Sequence, residues 1–315
     1  MRGRAMALAG VLLLASAGPA APQAPTFRAG IDLVTFNVTV LDHAGHFVTG
    51  LTPADFSVEE DGHPQTIRYF APGGVSDAAA PLHLGVLLDT SESMRDDIQF
   101  ARTAAIRFLM ALPQARDITL VDFDTKVRMA EYTQSDFPRL VERIRMRPPE
   151  GWTALYDAIG VYLNYAAEQT GRKIMLLCTD GGDTNSVATF SDTMTLLKAS
   201  DVTVYAIGML AHQSDSTRMQ QRIVLQQIAS VTGGKAFFPP GVDALDRVYH
   251  DILSEIHAQY SLGYVSTDAK LDGTWRHVRI RVVKPGLQHI TVRSRGGYYA
   301  LYMPPKAKTP GRPRF

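Results

Sequence analysis

The sequence predicts an α/β fold: a doubly wound, mostly parallel sheet flanked by helices, inserted into or flanked by an antiparallel β-sandwich. Three observations carry this expectation. Residues 82–88, 118–123, 173–178 and 202–207 are apolar on both faces, as strands covered by helices on both sides must be. The stretches between them place apolar residues at helical spacing. On either side of this region the period changes to alternation, the mark of half-buried antiparallel strands.

Taken in order, residues 1–24 carry Arg2 and Arg4, an apolar run over 5–17, and small residues at 15–17 and 20–21. That is the layout of a secretory signal peptide. The run is shorter than the roughly 20 residues that cross a bilayer, and no later stretch is apolar for long enough. No cysteine stands near the leader's end, which excludes a lipid-anchored lipoprotein. The expectation is a secreted or periplasmic protein without a transmembrane segment.

Residues 31–41 alternate, with Val34, Phe36, Val38 and Val40 on one face. Residues 56–58 and 66–70 repeat the pattern around Glu60-Asp61-Gly62, whose Asp-Gly pair marks a hairpin turn. Residues 27–75 therefore read as a β-meander, the first part of the sandwich, and 72–81 as a linker. The α/β unit is expected over 82–258. Ile98, Ala101, Ala105, Leu109 and Leu112 form the stripe of its first helix. Further helices are expected at 135–147, 154–168, 191–199, 217–231 and 243–258, and a short strand at 236–238. The β pattern returns at 260–265, 277–283, 289–293 and 298–302, with turns at Asp272-Gly273 and Pro285-Gly286. The economical arrangement joins 27–75 and 259–302 in one sandwich; two small β-domains are the alternative. Residues 303–315, with four prolines, four basic residues and no acid, read as a disordered tail.

Composition narrows the function. The 315 residues are 45% hydrophobic and 20% charged, which excludes disordered, collagen-like and coiled-coil classes. Lys plus Arg number 32 against 31 Asp plus Glu, and removing Arg2 and Arg4 with the leader leaves 30 against 31. No electrostatic nucleic-acid binding is expected from that balance. The single cysteine, Cys178, permits no intramolecular disulfide and no multi-cysteine zinc site. It falls in an apolar strand, where a thiol behaves as a small hydrophobe.

The first strand of the α/β unit ends Leu88-Asp89-Thr90-Ser91-Glu92-Ser93-Met94, which puts Asp89, Ser91 and Ser93 on the turn leaving its carboxyl end. In doubly wound sheets ligands bind at that edge. Gly151-Trp152-Thr153-Ala154 places a hydroxyl just before a helix, and Thr179-Asp180-Gly181-Gly182-Asp183 follows another strand. Asp89, Ser91, Ser93, Thr153 and Asp180 are all hard oxygen donors, the type magnesium or calcium prefers. One Asp-x-Ser-x-Ser alone would be weak, since Asp and Ser crowd turns and caps. Three such loops in order at successive strand ends are specific.

DTSESM, then GWTAL, then CTDG resemble the metal-ion-dependent adhesion site of the von Willebrand factor type A (VWA) domain: Asp-x-Ser-x-Ser, a later Thr and a later Asp. The resemblance covers about 82–260. The LTPADFSVEEDG stretch before it and the β tail after it resemble the wider architecture of secreted bacterial VWA-related proteins. It implies that Ser91, Ser93 and Thr153 hold a divalent cation through hydroxyls, while Asp89 and Asp180 act largely through bound waters. The cation implied is Mg, with Mn or Ca as alternatives. Magnesium wants six oxygens, so one position remains for a carboxylate from a partner protein with an exposed Asp or Glu. The implied function is a non-enzymatic, exported protein-binding module. The resemblance also implies that the last helix, running into the strand at Tyr260, passes a signal to the sandwich.

Two other readings compete. A magnesium-dependent hydrolase or phosphoryl-transfer enzyme would use Asp89 as nucleophile, but Ser91 stands where a haloacid-dehalogenase-like site needs a second Asp. The other is a structural scaffold with a non-functional metal site. Glu92, Asp124 and Asp183 are further carboxylates available to a second ion, Asp183 alternatively to a helix or turn cap. His43 and His46 read as solvated surface, and His250 and His257 lack a partner. Asn37-Val-Thr39 matches a glycosylation triplet but falls within a strand. Arg143, Arg145 and Arg147 read as a solvated face. Gly233-Gly234-Lys235 lacks phosphate-loop spacing. Oligomeric state and the choice between periplasm and medium stay open.

Overall fold

The computed structural model describes residues 33–72, 81–112 and 115–301. The leader, most of the linker and the basic tail lie outside the described residues. The chain begins with β1 (Leu33–Leu41), β2 (Phe56–Glu60), β3 (His63–Gln65) and β4 (Ile67–Ala71). Next come β5 (Leu82–Asp89), α1 (Ile98–Ala111), β6 (Asp117–Phe123), β7 (Val127–Tyr132), α2 (Phe137–Met146) and α3 (Leu155–Ala166). They are followed by β8 (Arg172–Thr179), α4 (Phe190–Ala199), β9 (Val202–Gly208), α5 (Asp215–Val231), β10 (Lys235–Phe237) and α6 (Leu245–Ala258). β11 (Tyr260–Val265), β12 (Trp275–Val282), β13 (Thr291–Arg293) and β14 (Gly297–Tyr299) complete it.

β5 to β10 form one six-stranded sheet in the order β10-β9-β8-β5-β6-β7. All its pairings are parallel except that of β7. The doubly apolar strands explain the layering. Leu84, Val86 and Leu88 of β5, with Ile174, Leu176 and Cys178 of β8, pack toward α1, α2 and α6. Leu87, Met175 and Leu177, at the intervening positions, pack with α3, α4 and α5 on the opposite face. This alternation buries both faces of the sheet. Gly85 has no substitute here, because a Cβ on it would overlap the ring of Tyr162. Cys178 is buried, and burial pushes its thiol up to about 12, so it stays protonated and inert. The edge strand β7 has no counterpart among the expected elements: its six residues, VRMAEY, do not alternate cleanly.

The remaining strands form two antiparallel sheets, β13-β1-β11-β4 and β14-β12-β2-β3. Phe36, Val38, Val40, Tyr260, Leu262 and Tyr264 of the first share one core with Phe56, Val58, Val278 and Ile280 of the second. β4 and β11 are neighbours, with Ala71 opposite Ser261, so the chain leaves this sheet and re-enters it at adjacent strands.

The expected meander is corrected. The two-residue turn at Asp61-Gly62, with φ of 47° and 82°, joins β2 to β3, the geometry of a type I′ hairpin. β4 then crosses to the other sheet, and β1 pairs with β11 and β13 rather than with β2. Local alternation cannot distinguish these pairings, because every strand concerned offers one apolar face. Glu60, read as a turn residue, is buried and accepts hydrogen bonds from Tyr264 Oη (2.7 Å), Tyr298 Oη (2.9 Å) and Ser266 Oγ (2.6 Å).

The α/β unit is fastened to these sheets through α6. The buried Glu255 accepts from Thr39 Oγ1 of β1 at 3.2 Å and from Tyr205 Oη of β9 at 3.1 Å, and pairs with Arg293 of β13. Arg295 donates to the carbonyls of Ser200 and Thr35 and lies over the Phe36 ring. Asn37, in the glycosylation triplet, donates to Thr203 Oγ1 at 3.3 Å.

Candidate functional site

β6 and β8 flank β5 on opposite sides, so the connections leaving β5 diverge beside the carboxyl end of this central strand, where an open α/β sheet forms its crevice. The first loop follows β5 directly. Ser91 N–H donates to Asp89 Oδ1 at 3.0 Å, and the Ser91 and Ser93 hydroxyls lie 3.0 Å apart. Thr90 is tied to the Phe123 carbonyl by its N–H (2.7 Å) and by its hydroxyl (3.0 Å). Met94, fully buried, anchors the turn to the core.

The second loop, 147–154, is knitted to the first. Glu150 N–H donates to the Thr90 carbonyl at 2.9 Å, and Glu92 N–H to the Gly151 carbonyl at 3.0 Å. Gly151 has φ of 74° and lies against the Thr125 side chain, where a Cβ would collide. Trp152 N–H donates to Thr125 Oγ1 at 2.9 Å. Thr153 is 4% exposed; its N–H donates to Thr184 Oγ1, and its carbonyl accepts from the N–H groups of Thr184 and Asn185, each at 2.9 Å.

The third loop carries Asp180. Its Oδ1 accepts from Gly182 N–H at 2.9 Å and its Oδ2 from Gln213 Nε2 at 3.0 Å. The preceding Thr179 donates its hydroxyl to Asp89 Oδ2 at 2.5 Å. Asp89 and Asp180 are both buried, and among the described residues neither forms an ion pair. Burial first, and the nearby Asp180 charge second, push the Asp89 carboxyl up to about 7.

Five sequence-derived candidates thus stand on three loops at one sheet edge. Asp89 and Asp180 are electrostatically coupled, Ser91 and Ser93 are in contact, and the loop bearing Thr153 is tied to the first loop by the backbone hydrogen bonds of Glu150 and Gly151. The donor set fits a hard cation: three hydroxyl side chains accompany two buried carboxylates that have no cationic partner among the described residues. Only two members are carboxylates, consistent with the absence, among the described residues, of any metal-holding group of three or more His, Cys, Asp or Glu.

The carboxylates suggested for a second ion are engaged elsewhere. Asp183 caps α3, accepting from Tyr156 N–H at 3.2 Å and Ser186 Oγ at 2.6 Å. Asp124 pairs with Arg128 at 2.8 Å, and Glu92 pairs with Arg95.

The expectation of a solvated arginine face holds for Arg145, which is exposed, and is corrected for Arg143 and Arg147. Arg143 and Arg147, with Arg128 of β7, converge on the buried Asp122 at 2.5, 3.2 and 3.4 Å. Arg102 donates to the Arg147 carbonyl. This ion cluster fastens the start of the loop bearing Thr153. Thr125, Thr179, Thr184 and Gln213 were not among the candidates. Thr179 adjoins Asp180 and could have been included on that ground; Gln213 comes from a loop with no pattern of its own.

Fold and site together define a doubly wound α/β unit whose strand-end loops carry hydroxyl and carboxylate side chains at one sheet edge. The family model of the von Willebrand factor type A domain matches residues 83–251, more than half of the chain, which belongs to that family. A search of the curated proteins returns no match. Among solved structures, the chain is similar to the pilus adhesin SpaC from Lactobacillus rhamnosus GG in its open conformation. That similarity has a TM-score of 0.49 and 11% identity, over 81% of this chain and 49% of the other. The PilB minor pilin from Streptococcus sanguinis gives a TM-score of 0.47 and 13% identity, over 59% and 63%. A von Willebrand factor type A protein from Catenulispora acidiphila gives 0.46 and 11%, over 88% and 75%. The chain spans less than two thirds of the pilus adhesin and of the minor pilin.

Proposed function

We propose that this chain is an exported, non-enzymatic protein-binding module that captures a partner's carboxylate through a divalent cation. The cation, magnesium or alternatively manganese or calcium, would be held by Asp89, Ser91, Ser93, Thr153 and Asp180. Residues 82–258 would form the cation-binding unit, and 27–75 with 259–302 the sandwich that carries it.

The supporting observation is the buried pair Asp89 and Asp180, which repel each other and face no cationic side chain among the described residues. Two uncompensated carboxylates in a low-dielectric site favour a cation strongly. The rest of the set is neutral hydroxyls, so the two carboxylates at most balance the cation's charge, and an open position would take a further hard oxygen such as a partner's carboxylate. Thr179 orients Asp89, and Gln213 orients Asp180, each through one hydrogen bond. No helix among the described residues is long and apolar enough to cross a membrane.

The test is calorimetric titration of magnesium, manganese and calcium into chelator-treated protein, beside Asp89→Ala and the double variant Ser91→Ala/Ser93→Ala. One-site binding to the parent chain, lost in both variants, is expected. Equal heats in parent and variants would refute the assignment.

A further inference from the structure

Trp152 is 65% exposed, although the backbone around it is among the most firmly tied in the site. Its own N–H is held by Thr125, Thr153 N–H by Thr184, and Ala154 N–H donates to the Asp124 carbonyl at 2.9 Å. Gly151 seats the turn against Thr125. The indole is therefore presented to solvent by an ordered support. Tryptophan is on average highly buried, and binding hot spots are enriched in it. The adjoining loop exposes a second apolar side chain, Val187, at 93%. That loop shares the same supports, since Asn185 Nδ2 donates to the Thr125 carbonyl at 3.2 Å and Asn185 N–H to the Thr153 carbonyl.

We infer that Trp152 is the specificity-determining contact beside the cation site, and that the partner segment bound there carries an apolar side chain next to its acidic one. The inference rests on the cation reading proposed above. Trp152 and the proposed ligand Thr153 are consecutive, about 3.8 Å apart at Cα. An extended peptide advances about 3.3 Å per residue, so a residue one or two places from the acid reaches the indole. Oxygen chemistry selects the acid: a hard divalent cation takes a carboxylate oxygen, whereas the broad indole face favours a flat or apolar side chain. The cation alone would accept any acidic chain. Trp152 makes the site discriminate.

The sequence holds two tryptophans, so Trp275→Phe leaves Trp152 as the sole reporter of its own surroundings. In that background, metal binding is first measured with magnesium alone. The capped peptides acetyl-Gly-Asp-Phe-Gly-amide and acetyl-Gly-Asp-Gly-Gly-amide are then titrated at millimolar concentration, with magnesium or with chelator. The expected result is a blue shift of Trp152 emission with the Phe peptide only when magnesium is present, and at least about tenfold preference over the Gly peptide. In calorimetry on the parent chain, Trp152→Ala collapses that preference and Trp152→Phe restores part of it.

Magnesium binding with equal affinity for the two peptides, with no affinity for either, or with a preference that survives Trp152→Ala overturns the inference while leaving the cation site standing. Failure of magnesium to bind overturns the cation reading and this inference with it. Sedimentation showing metal-independent self-association that Trp152→Ala abolishes assigns the indole to a second copy of the chain, which also overturns it.

Discussion

Replacing Asp89 by Asn tests the charge burial at the site without reference to any partner. Asp89 is fully buried beside Asp180, and its carboxyl is raised from 3.8 to about 7. A native pKa above the unfolded one means that the folded chain keeps a proton which the unfolded chain releases. The neutral form's stability is therefore present below about pH 4 and lost as pH rises toward 7. From 3.8 to about 7 the loss amounts to ~4 kcal/mol at 1.36 kcal/mol per pH unit.

Asn removes the charge and keeps an oxygen for Ser91 N–H. It replaces the acceptor of the Thr179 hydroxyl with a donor, which costs about 1 kcal/mol. In chelator at pH 8, Asp89→Asn is thus expected to be more stable than the parent by ~2–3 kcal/mol. That corresponds to about 4–6 °C in Tm for a chain of this size. The gap should close below pH 5, and saturating magnesium should reverse the order by stabilising only the parent. Differential scanning calorimetry across pH 4–8, with and without magnesium, reads all three effects. A variant no more stable than the parent in chelator at pH 8, or a gap that ignores pH, would refute the reasoning.

Three further outcomes are expected. Asp122→Ala leaves Arg128, Arg143 and Arg147 without their shared partner; these guanidiniums are only a quarter to a third exposed, so a loss of about 1–3 kcal/mol should appear in urea denaturation, together with weaker metal binding as the Thr153 loop loosens. Gly85→Ala drives a methyl into the Tyr162 ring and should cost about 1–3 kcal/mol, and a double-mutant cycle with Tyr162→Leu should show that most of it is coupling between the two positions. The hydrogen bond that His212 donates to the Asp97 carboxylate raises the pKa of the exposed His212 above 6.5; the pairing persists below that raised value and is lost above it, and in Asp97→Asn an NMR titration should find His212 back toward 6.5.

Legibility divided along the range of the interactions. Strands apolar on both faces, such as β5 and β8, announce a covered parallel sheet because no other environment accepts Leu84-Gly85-Val86-Leu87-Leu88. The candidate residues were legible for a similar reason: Asp89, Ser91 and Ser93 lie within five positions, and Asp180 closes an apolar strand. Arg143 and Arg147 show nothing of the kind, since an amphipathic helix end looks the same whether its arginines meet water or the carboxylate of Asp122 on β6. Glu60 sits beside an Asp-Gly turn and by composition belongs at the surface; burial follows only because Tyr264, Tyr298 and Ser266 arrive from distant strands with three hydroxyls.

Local periodicity and the order of strand-end loops therefore determined the sheet class and the helical faces and singled out the five candidate oxygen donors, because these depend on neighbours a few residues apart. Tertiary structure alone decided that β4 crosses to the other sheet, that Thr179 and Gln213 orient the two carboxylates, that Glu255 fastens α6 to β1, and that Trp152 stands exposed on a rigid loop. Each of these depends on which remote segment arrives beside a residue, and a buried polar group is stable only where that segment brings it a partner.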